Sequence, residues 1–190
     1  LERSRGLGDV YKRQLSVTPA SSASTMKAVA FRNPLPVSDP LSLQDVELPV
    51  PQVGGRDLLV DVEAVSVNPV DVKVRASRQP VDGQWEVIGW DAAGVVRAVG
   101  PDVQFFKPGD RVWYAGDITR AGSYAEQQLV DERLVGRMPR SLDFAEASAL
   151  PLTSITAWEL LFDRLGVQPG KKPGGKSLLV IGAAGGVGSI

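Results

Sequence analysis

A change of residue pattern near Val130 constrains the fold of this chain more than any other feature. Before it, short alternating runs are separated by Gly- and Pro-containing turns, which is typical of a compact β-barrel or sandwich. After it, apolar residues recur with helical spacing, and the wholly apolar residues 178–181 lead into a glycine-rich turn. Such a run predicts a strand of a parallel sheet covered on both faces. We therefore expect a β-rich domain followed by an α/β domain.

The individual runs predict where these elements lie. Alternation predicts strands at residues 27–31, 43–48, 57–67, 92–99, 111–114 and 122–129. Helical spacing predicts a helix over residues 143–150, with Ser141 or Asp143 as its N-cap, and a second over about residues 154–165, which Gly166 ends. Residues 168–177 are rich in Pro, Gly and Lys and are expected to form a loop.

Three segments follow from this pattern. Residues 1–25 show no sustained period, so we expect a disordered leader that is not native to the protein. Residues 26–150 are expected to form the β-rich first domain. Residues 151–190 are expected to begin the α/β domain without completing it.

Two residue types are absent, and their absence removes whole classes of chemistry. The 190 residues contain no Cys and no His, which excludes thiolate nucleophiles, Ser-His-Asp triads and zinc sites of the usual ligands from this stretch. An oxygen-only metal site stays open, but no EF-hand-like spacing occurs, so we expect no metal. The net charge of -1 argues against a nucleic-acid partner, and no apolar run is long enough to suggest a membrane partner.

The glycine-rich turn at residues 182–188 is the first candidate binding motif. Glycines after a buried strand let backbone N–H groups approach a pyrophosphate, and a following helix would add its N-terminal partial charge. This predicts cofactor contacts from Ala184, Gly185, Gly186, Val187 and Gly188. The same residues could form an ordinary turn of an α/β sheet. The position that would read the ribose is not present, so NAD and NADP are not distinguished.

Six further motifs stand in a definite order along the chain. They occupy residues 26–29, 66–73, 88–96 (followed by Val99-Gly100), 106–112, 122–126 and 149–158. Together with the glycine turn, they resemble the medium-chain dehydrogenase/reductase superfamily, in its quinone-oxidoreductase-like and zinc-free alcohol-dehydrogenase-like branch. The resemblance covers essentially all of residues 26–190, and it rests on the number, order and spacing of the motifs.

This resemblance implies a mixed β and α/β fold: a GroES-like β-barrel substrate domain followed by the truncated start of a Rossmann domain. It implies that the chain is the N-terminal part of a longer cytoplasmic protein, a homodimer or homotetramer with enoyl-reductase-like chemistry. That parent would transfer hydride from NADPH, or from NADH, to a quinone or an α,β-unsaturated carbonyl without zinc. The 190 residues alone are expected to be inactive.

Two other functions stay open at this point. The parent could be a zinc-free dehydrogenase that acts on another class of carbonyl or alcohol. It could also be a non-catalytic NADPH-binding protein with a structural or interaction role. Turnover, rather than cofactor binding, would separate these possibilities.

Departures from the family pattern limit what can be carried over. Zinc-dependent members have a Cys where this chain has Asn68 and a His where it has Trp90, so two catalytic zinc ligands are missing. Quinone-reductase-like members often have a Tyr at the position of Lys73, and the role of that Tyr cannot be transferred.

The remaining candidate residues are polar side chains within the matched motifs. Asn68 is expected near the nicotinamide or in its own turn before Pro69, and Asp91 at a turn or in a buried hydrogen bond. Lys73 could donate to the substrate oxygen, pair with Asp71 or be solvated. The expected catalytic residues are Asn68, Asp71 and Lys73, and Thr153 is expected to contact the cofactor or cap a helix.

Overall fold

The computed structural model describes residues 24–81, 83–170 and 177–190. The strand pattern predicted from alternation is present along the first two thirds of the chain. The predicted leader lies outside the described residues except for Ser24 and Thr25, and Thr25 is the first residue of a strand. The strands are β1 (Thr25–Phe31), β2 (Gln44–Pro49), β3 (Asp57–Ser66), β4 (Glu86–Val87), β5 (Asp91–Val99), β6 (Arg111–Ala115), β7 (Gln127–Asp131) and β8 (Val135–Arg137).

These strands form two antiparallel sheets. One sheet has the order β2-β1-β4 and the other has the order β7-β3-β5-β6-β8. Residues 124–126 bridge them, because the Val29 N–H donates to the Tyr124 carbonyl at 2.8 Å and the Val62 N–H donates to the Glu126 carbonyl at 2.9 Å. The bridging segment therefore fixes Tyr124 between the two sheets.

The main core lies on the five-stranded sheet. Its centre is Leu58, Val60, Val96, Val112 and Tyr114, each with 2% of its surface exposed or less. Alternation explains most of this set, since residues two apart on a strand share a face. Burial of this apolar surface supplies the main driving force for folding.

Three α-helices accompany the sheets in the described part of the chain. They are α1 (Pro69–Ser77), α2 (Phe144–Ser148) and α3 (Pro151–Trp158), and a π-helical segment, Glu159–Arg164, continues α3. Of the two N-caps proposed for the first predicted helix, Asp143 is the one used, because its carboxylate accepts the Glu146 N–H at 2.8 Å. Gly166 ends the second with a φ of 62°, as predicted.

Two element boundaries differ from the prediction for identifiable reasons. The helix predicted over residues 143–150 tightens at Ala149, whose N–H bonds to the Glu146 carbonyl three residues back, and Pro151 has no N–H to continue it. The strand predicted from residue 122 begins only at Gln127. Before that, the N–H groups of residues 122–124 donate to the carbonyls of residues 87–89, at the end of β4 and in the loop that follows it.

The strand predicted at residues 178–181 is not formed. Residues 177–180 have no regular structure, and turns follow from Ile181. Leu179 and Ile181 are 84% and 91% exposed. A strand has no hydrogen bonds within itself, and no strand lies beside this run in the described part of the chain. Part of the predicted loop before it, residues 171–176, lies outside the described residues.

Candidate active site

Asn68 lies where β3 gives way to α1, and the local sequence explains its backbone. Pro69 occupies the first helical position, where an N–H would have no partner within the helix. It also favours an extended residue before it, and Asn68 has a φ of −122° and a ψ of 158°. The Asp71 carboxylate accepts the Asn68 N–H at 2.6 Å. Asp71 thus satisfies the N–H of the N-cap residue in a capping-box arrangement.

The Asn68 side chain reaches the first residue of β5. Its Nδ2 donates to Oδ2 of Asp91 at 2.8 Å and makes a longer contact of 3.4 Å with the Ser66 carbonyl. A carboxylate only accepts hydrogen bonds, so the NH2 group of the amide must face Asp91. Asn68 is 8% exposed. Asp91 is therefore the closer partner of the Asn68 NH2 group.

Asp91 is fully buried and accepts from two segments that are distant in sequence. While Oδ2 binds Asn68, Oδ1 accepts the Leu152 N–H at 2.8 Å. Leu152 stands in the first turn of α3, where N–H groups have no partner within the helix, and α3 has no capping side chain of its own. Asp91 thus caps a helix 61 residues away, and the prediction of a buried hydrogen bond is confirmed.

Burial raises the pKa of the Asp91 carboxyl above its ordinary value of 3.8. The hydrogen bonds from Asn68 and from the Leu152 N–H oppose this effect by favouring the ionised form, and the negative charge of Asp71 adds to it. The net direction is upward, so an ionised Asp91 is held at a cost. In the described residues no Lys or Arg forms an ion pair with it.

Asp71 joins the network from the other side. Its Oδ2 accepts the Tyr124 hydroxyl at 3.0 Å in addition to the Asn68 N–H. Its Oδ1 is buried and has no hydrogen-bond partner among the described groups. Burial, followed by the Asp71 charge, raises the pKa of Tyr124 well above its ordinary value, so Tyr124 stays a donor at neutral pH.

Tyr124 is the member of the network that the sequence did not predict. No local pattern indicates that this side chain reaches α1, which lies 53 residues earlier in the chain. One signal was available in Gly89, which has a φ of 96°. A Cβ at Gly89 would lie 2.4 Å from the Tyr124 ring, so the glycine makes room for the tyrosine.

Lys73 is not part of this cluster. It lies on the exposed side of α1, and its backbone carbonyl accepts the Ser77 hydroxyl at 2.8 Å. Among the described residues its ammonium forms no ion pair with Asp71 or another carboxylate. The structure therefore brings Asn68 and Asp71 together and leaves Lys73 in solvent.

Thr153 lies next to the glycine turn. It follows Leu152 on α3, and its hydroxyl donates to the Leu150 carbonyl at 3.0 Å. A Cβ placed on Gly186 would stand 3.3 Å from the Thr153 methyl group. The structure thus brings together two predicted cofactor contacts, and both lie close to the segment that Asp91 holds.

The glycine turn folds back on itself. The Gly185 N–H donates to the Gly182 carbonyl at 2.9 Å, and the Ser189 N–H donates to the Gly185 carbonyl at 2.9 Å. A Cβ on Gly188 would lie 2.6 Å from the Gly182 carbonyl oxygen, so a larger residue there would open the turn. Ala184 and Val187 are exposed beside these glycines. Residues 181–189 are turns and a bend, so the helix expected to follow the glycines does not begin within them.

A separate cavity lies beside this cluster. A groove of about 970 Å³ runs between the β1–β2 pair and the end of β3, and Val29, Val46, Val65 and Tyr124 help to line it. It shares a wall with the network through Tyr124, whereas Asn68, Asp91 and Thr153 do not line it.

Within residues 24–81, 83–170 and 177–190, no group of three or more Asp or Glu residues could hold a metal ion. None of the described helices has the length and apolar character to cross a bilayer.

Comparison with known families and proteins identifies relatives of this chain. Residues 54–140 match the alcohol dehydrogenase GroES-like domain. A zinc-type alcohol dehydrogenase-like protein of Staphylococcus epidermidis is 43% identical over 168 residues, which are 87% of this chain and 49% of that protein. A 2-methylene-furan-3-one reductase of Solanum lycopersicum is 39% identical over 183 residues, 91% of this chain and 45% of that protein. The chain thus spans about half the length of these relatives.

Solved structures agree with these relatives. A protein from Rhizobium etli CFN 42, assigned as a zinc-dependent alcohol dehydrogenase, matches with a TM-score of 0.81 and 60% identity, covering 88% of this chain and 48% of its own. A quinone oxidoreductase from Pseudomonas syringae pv. Tomato DC3000 matches with a TM-score of 0.70 and 32% identity, covering 86% of this chain and 47% of its own. The expected GroES-like domain, followed by part of a Rossmann-like domain, is confirmed.

Proposed function

Because this chain belongs to the medium-chain dehydrogenase/reductase superfamily, we propose that its full-length parent transfers hydride from NADPH to a quinone or an α,β-unsaturated carbonyl without zinc. The observation that carries this proposal is the Asn68–Asp91–Leu152 network. It sets the polar loop after β3 beside the start of α3, where Thr153 meets the glycine turn. NADH is the second choice of cofactor, and we expect a cytoplasmic homodimer or homotetramer.

The proposed substrate class draws on two relatives. One is named for reducing a furanone with a conjugated methylene group, and one solved structure is of a quinone oxidoreductase. Both names describe acceptors in which a carbonyl is conjugated to a double bond. Hydride addition to such an acceptor needs a positioned donor and stabilisation of charge on oxygen, and neither requires a metal.

The proposal that zinc is absent rests on two positions. Asn68 replaces a Cys of zinc-dependent members, and its amide is bound to Asp91. Trp90 replaces a His, is 2% exposed and donates its ring N–H to the Asp117 carbonyl at 3.0 Å. A core tryptophan cannot act as a metal ligand. These two positions therefore offer zinc neither the thiolate nor the imidazole that zinc-dependent members have there.

The residues of this chain would then have separate tasks. The reduced nicotinamide supplies the hydride when it is bound. Backbone N–H groups of Gly186, Val187 and Gly188 would hold the pyrophosphate, and Thr153 would contact the nicotinamide side of the cofactor. The Asn68 NH2 group is already engaged by Asp91 and Ser66, so Asn68 would border the site as a positioned amide. The Lys73 ammonium is the candidate donor to the substrate oxygen.

Turnover by the full-length parent tests the proposal. NADPH consumption would be measured with quinones and enones, and with simple aldehydes as control substrates. Each measurement would be made before and after dialysis against a zinc chelator. We expect consumption with the conjugated acceptors only, and no effect of the chelator. Cofactor binding without consumption would overturn the reductase proposal and leave a structural role. The 190 residues alone should be inactive, because residues 177–190 are exposed rather than packed on a sheet.

A further inference from the structure

One buried carboxylate connects the two halves of the candidate site. Asp91 binds the Asn68 amide through one oxygen and the Leu152 N–H through the other, both at 2.8 Å. We propose that Asp91 is the positioning residue of this site, which sets the distance between the Asn68 amide and the start of α3 that carries Thr153. This inference rests on the proposed function and deepens it.

The backbone of Asp91 is itself fixed on several sides. In the sheet it pairs with Ser66 of β3 on one side and with Ala115 of β6 on the other. Its carbonyl also makes a 3.4 Å contact with the Ser123 hydroxyl. Asp91 is 0% exposed, so its side chain has no solvent-facing position to move into. A rigid sheet thus determines where both bound segments lie.

A carboxylate is the group that this position requires. Both partners are N–H donors, and only a side chain with two acceptor oxygens can bind both at once. An asparagine would bind one donor and turn its own NH2 group toward the other. Burying a charge whose partners are neutral groups is costly, and a purely structural position could be filled more cheaply by an apolar side chain.

Glu132 provides a matched control. It is also buried, at 2% exposed, and it also accepts two backbone N–H groups of a distant segment, those of Gln104 and Phe105, each at 2.9 Å. In addition it accepts from Arg56. It has no contact with Asn68 or α3 among its hydrogen bonds, so Glu132→Gln perturbs a similar bond set away from the site.

The first test uses NMR spectra of the 190-residue chain. In Asp91→Asn, the side-chain NH2 resonances of Asn68, the Leu152 amide resonance and the Thr153 methyl resonance should all shift, while Glu132→Gln should leave all three in place. Unchanged Asn68 and Thr153 resonances in Asp91→Asn would overturn the proposal. So would equal shifts in both variants, since a general loosening of the fold would produce them.

The second test uses steady-state kinetics of the full-length parent. Asp91→Asn should lower kcat by about tenfold or more, because misorientation affects the reacting geometry, while KM for NADPH changes less than about threefold. Glu132→Gln should keep kcat within about twofold of the wild type. Equal kcat values in the two variants would overturn the positioning role. A wild type without turnover would count against the proposed function alone, and the NMR result would then decide for or against Asp91.

Discussion

Asp91 and Glu132 show how differently the fold treats two buried carboxyl groups. For both, burial is the largest effect and raises the pKa. At Glu132 the backbone N–H groups of Phe105 and Gln104, together with Arg56, outweigh burial, so the net pKa is below its ordinary value of 4.5. Asp91 has neutral donors only and feels the Asp71 charge, so its pKa stays raised. The number and charge of the hydrogen-bond donors thus decide whether the pKa of a buried carboxyl group is raised or lowered.

Glu132 should therefore make the fold sensitive to acid. Its pKa is lower in the folded chain than in the unfolded chain, so its contribution is present above about pH 4.5 and is lost as the pH falls through the folded-state value. Urea unfolding from pH 7 to pH 3 should show a steep loss of stability in the wild type and a shallower one in Glu132→Gln. The same slope in both would contradict this assignment.

The Tyr124 hydroxyl should contribute more than an ordinary buried hydroxyl. Tyr124→Phe removes a donor to the Asp71 carboxylate, and hydrogen bonds to charged groups contribute about 2 kcal/mol. Tyr114→Phe is the matched control, because the Tyr114 hydroxyl bonds to the neutral Gln128 amide at 3.0 Å and should cost about 1 kcal/mol. Urea unfolding free energies at pH 7 measure both, and a smaller loss for Tyr124→Phe would contradict the expectation.

At the scale of elements, α2 depends on its N-cap. The helix has five residues, too few to be stable by itself. The Asp143 carboxylate accepts the Glu146 N–H, and the Glu146 carboxylate accepts the Asp143 N–H at 3.0 Å. Asp143→Ala should lower the unfolding free energy by about 1 kcal/mol. Ser141→Ala, at the other N-cap that the sequence allowed, should change it by less than about 0.5 kcal/mol, and the reverse order would contradict the assignment.

Strands were predictable where their pattern is local. Alternation located β1, β3, β5 and β6 to within about two residues, because side chains on a strand face opposite sides in turn. The same reasoning failed at residues 178–181, where an apolar run needs neighbouring strands that the described chain does not contain. It also missed the late start of β7, because the N–H groups of residues 122–124 bond to the end of β4 and to the loop that follows it, which no periodicity encodes.

The candidate site was predictable only in part. Asn68, Asp71 and Thr153 stand in motifs that can be read along the chain, and the structure gathers them around one network. The bonds from Asp91 to Leu152 and from Tyr124 to Asp71 span 61 and 53 residues. Such contacts depend on how the two sheets pack together. No short stretch of the sequence indicates which distant residues this packing brings into contact.

For the whole molecule, the exposed apolar residues near the end of the chain should govern solution behaviour. Leu179 and Ile181 are 84% and 91% exposed, and clustered exposed apolar side chains promote self-association. The double variant Leu179→Lys and Ile181→Lys should remain monomeric to a higher protein concentration in sedimentation velocity. Val37, which is 80% exposed and isolated in sequence from this run, gives the control Val37→Lys. An equal effect of the control would show that added charge alone is responsible.

The bond between Asp91 and Leu152 also has a consequence for protein engineering. Recombining the β-rich domain of one relative with the dinucleotide-binding domain of another requires a crossover point, and the natural choice from sequence is near Leu150, the expected boundary between the two domains. The carboxylate that accepts the Leu152 N–H and caps α3 stands at the start of β5, so a crossover there would separate a helix start from the carboxylate that completes it. A hybrid should therefore take the loop after β3, the start of β5 and the first turn of α3 from the same parent.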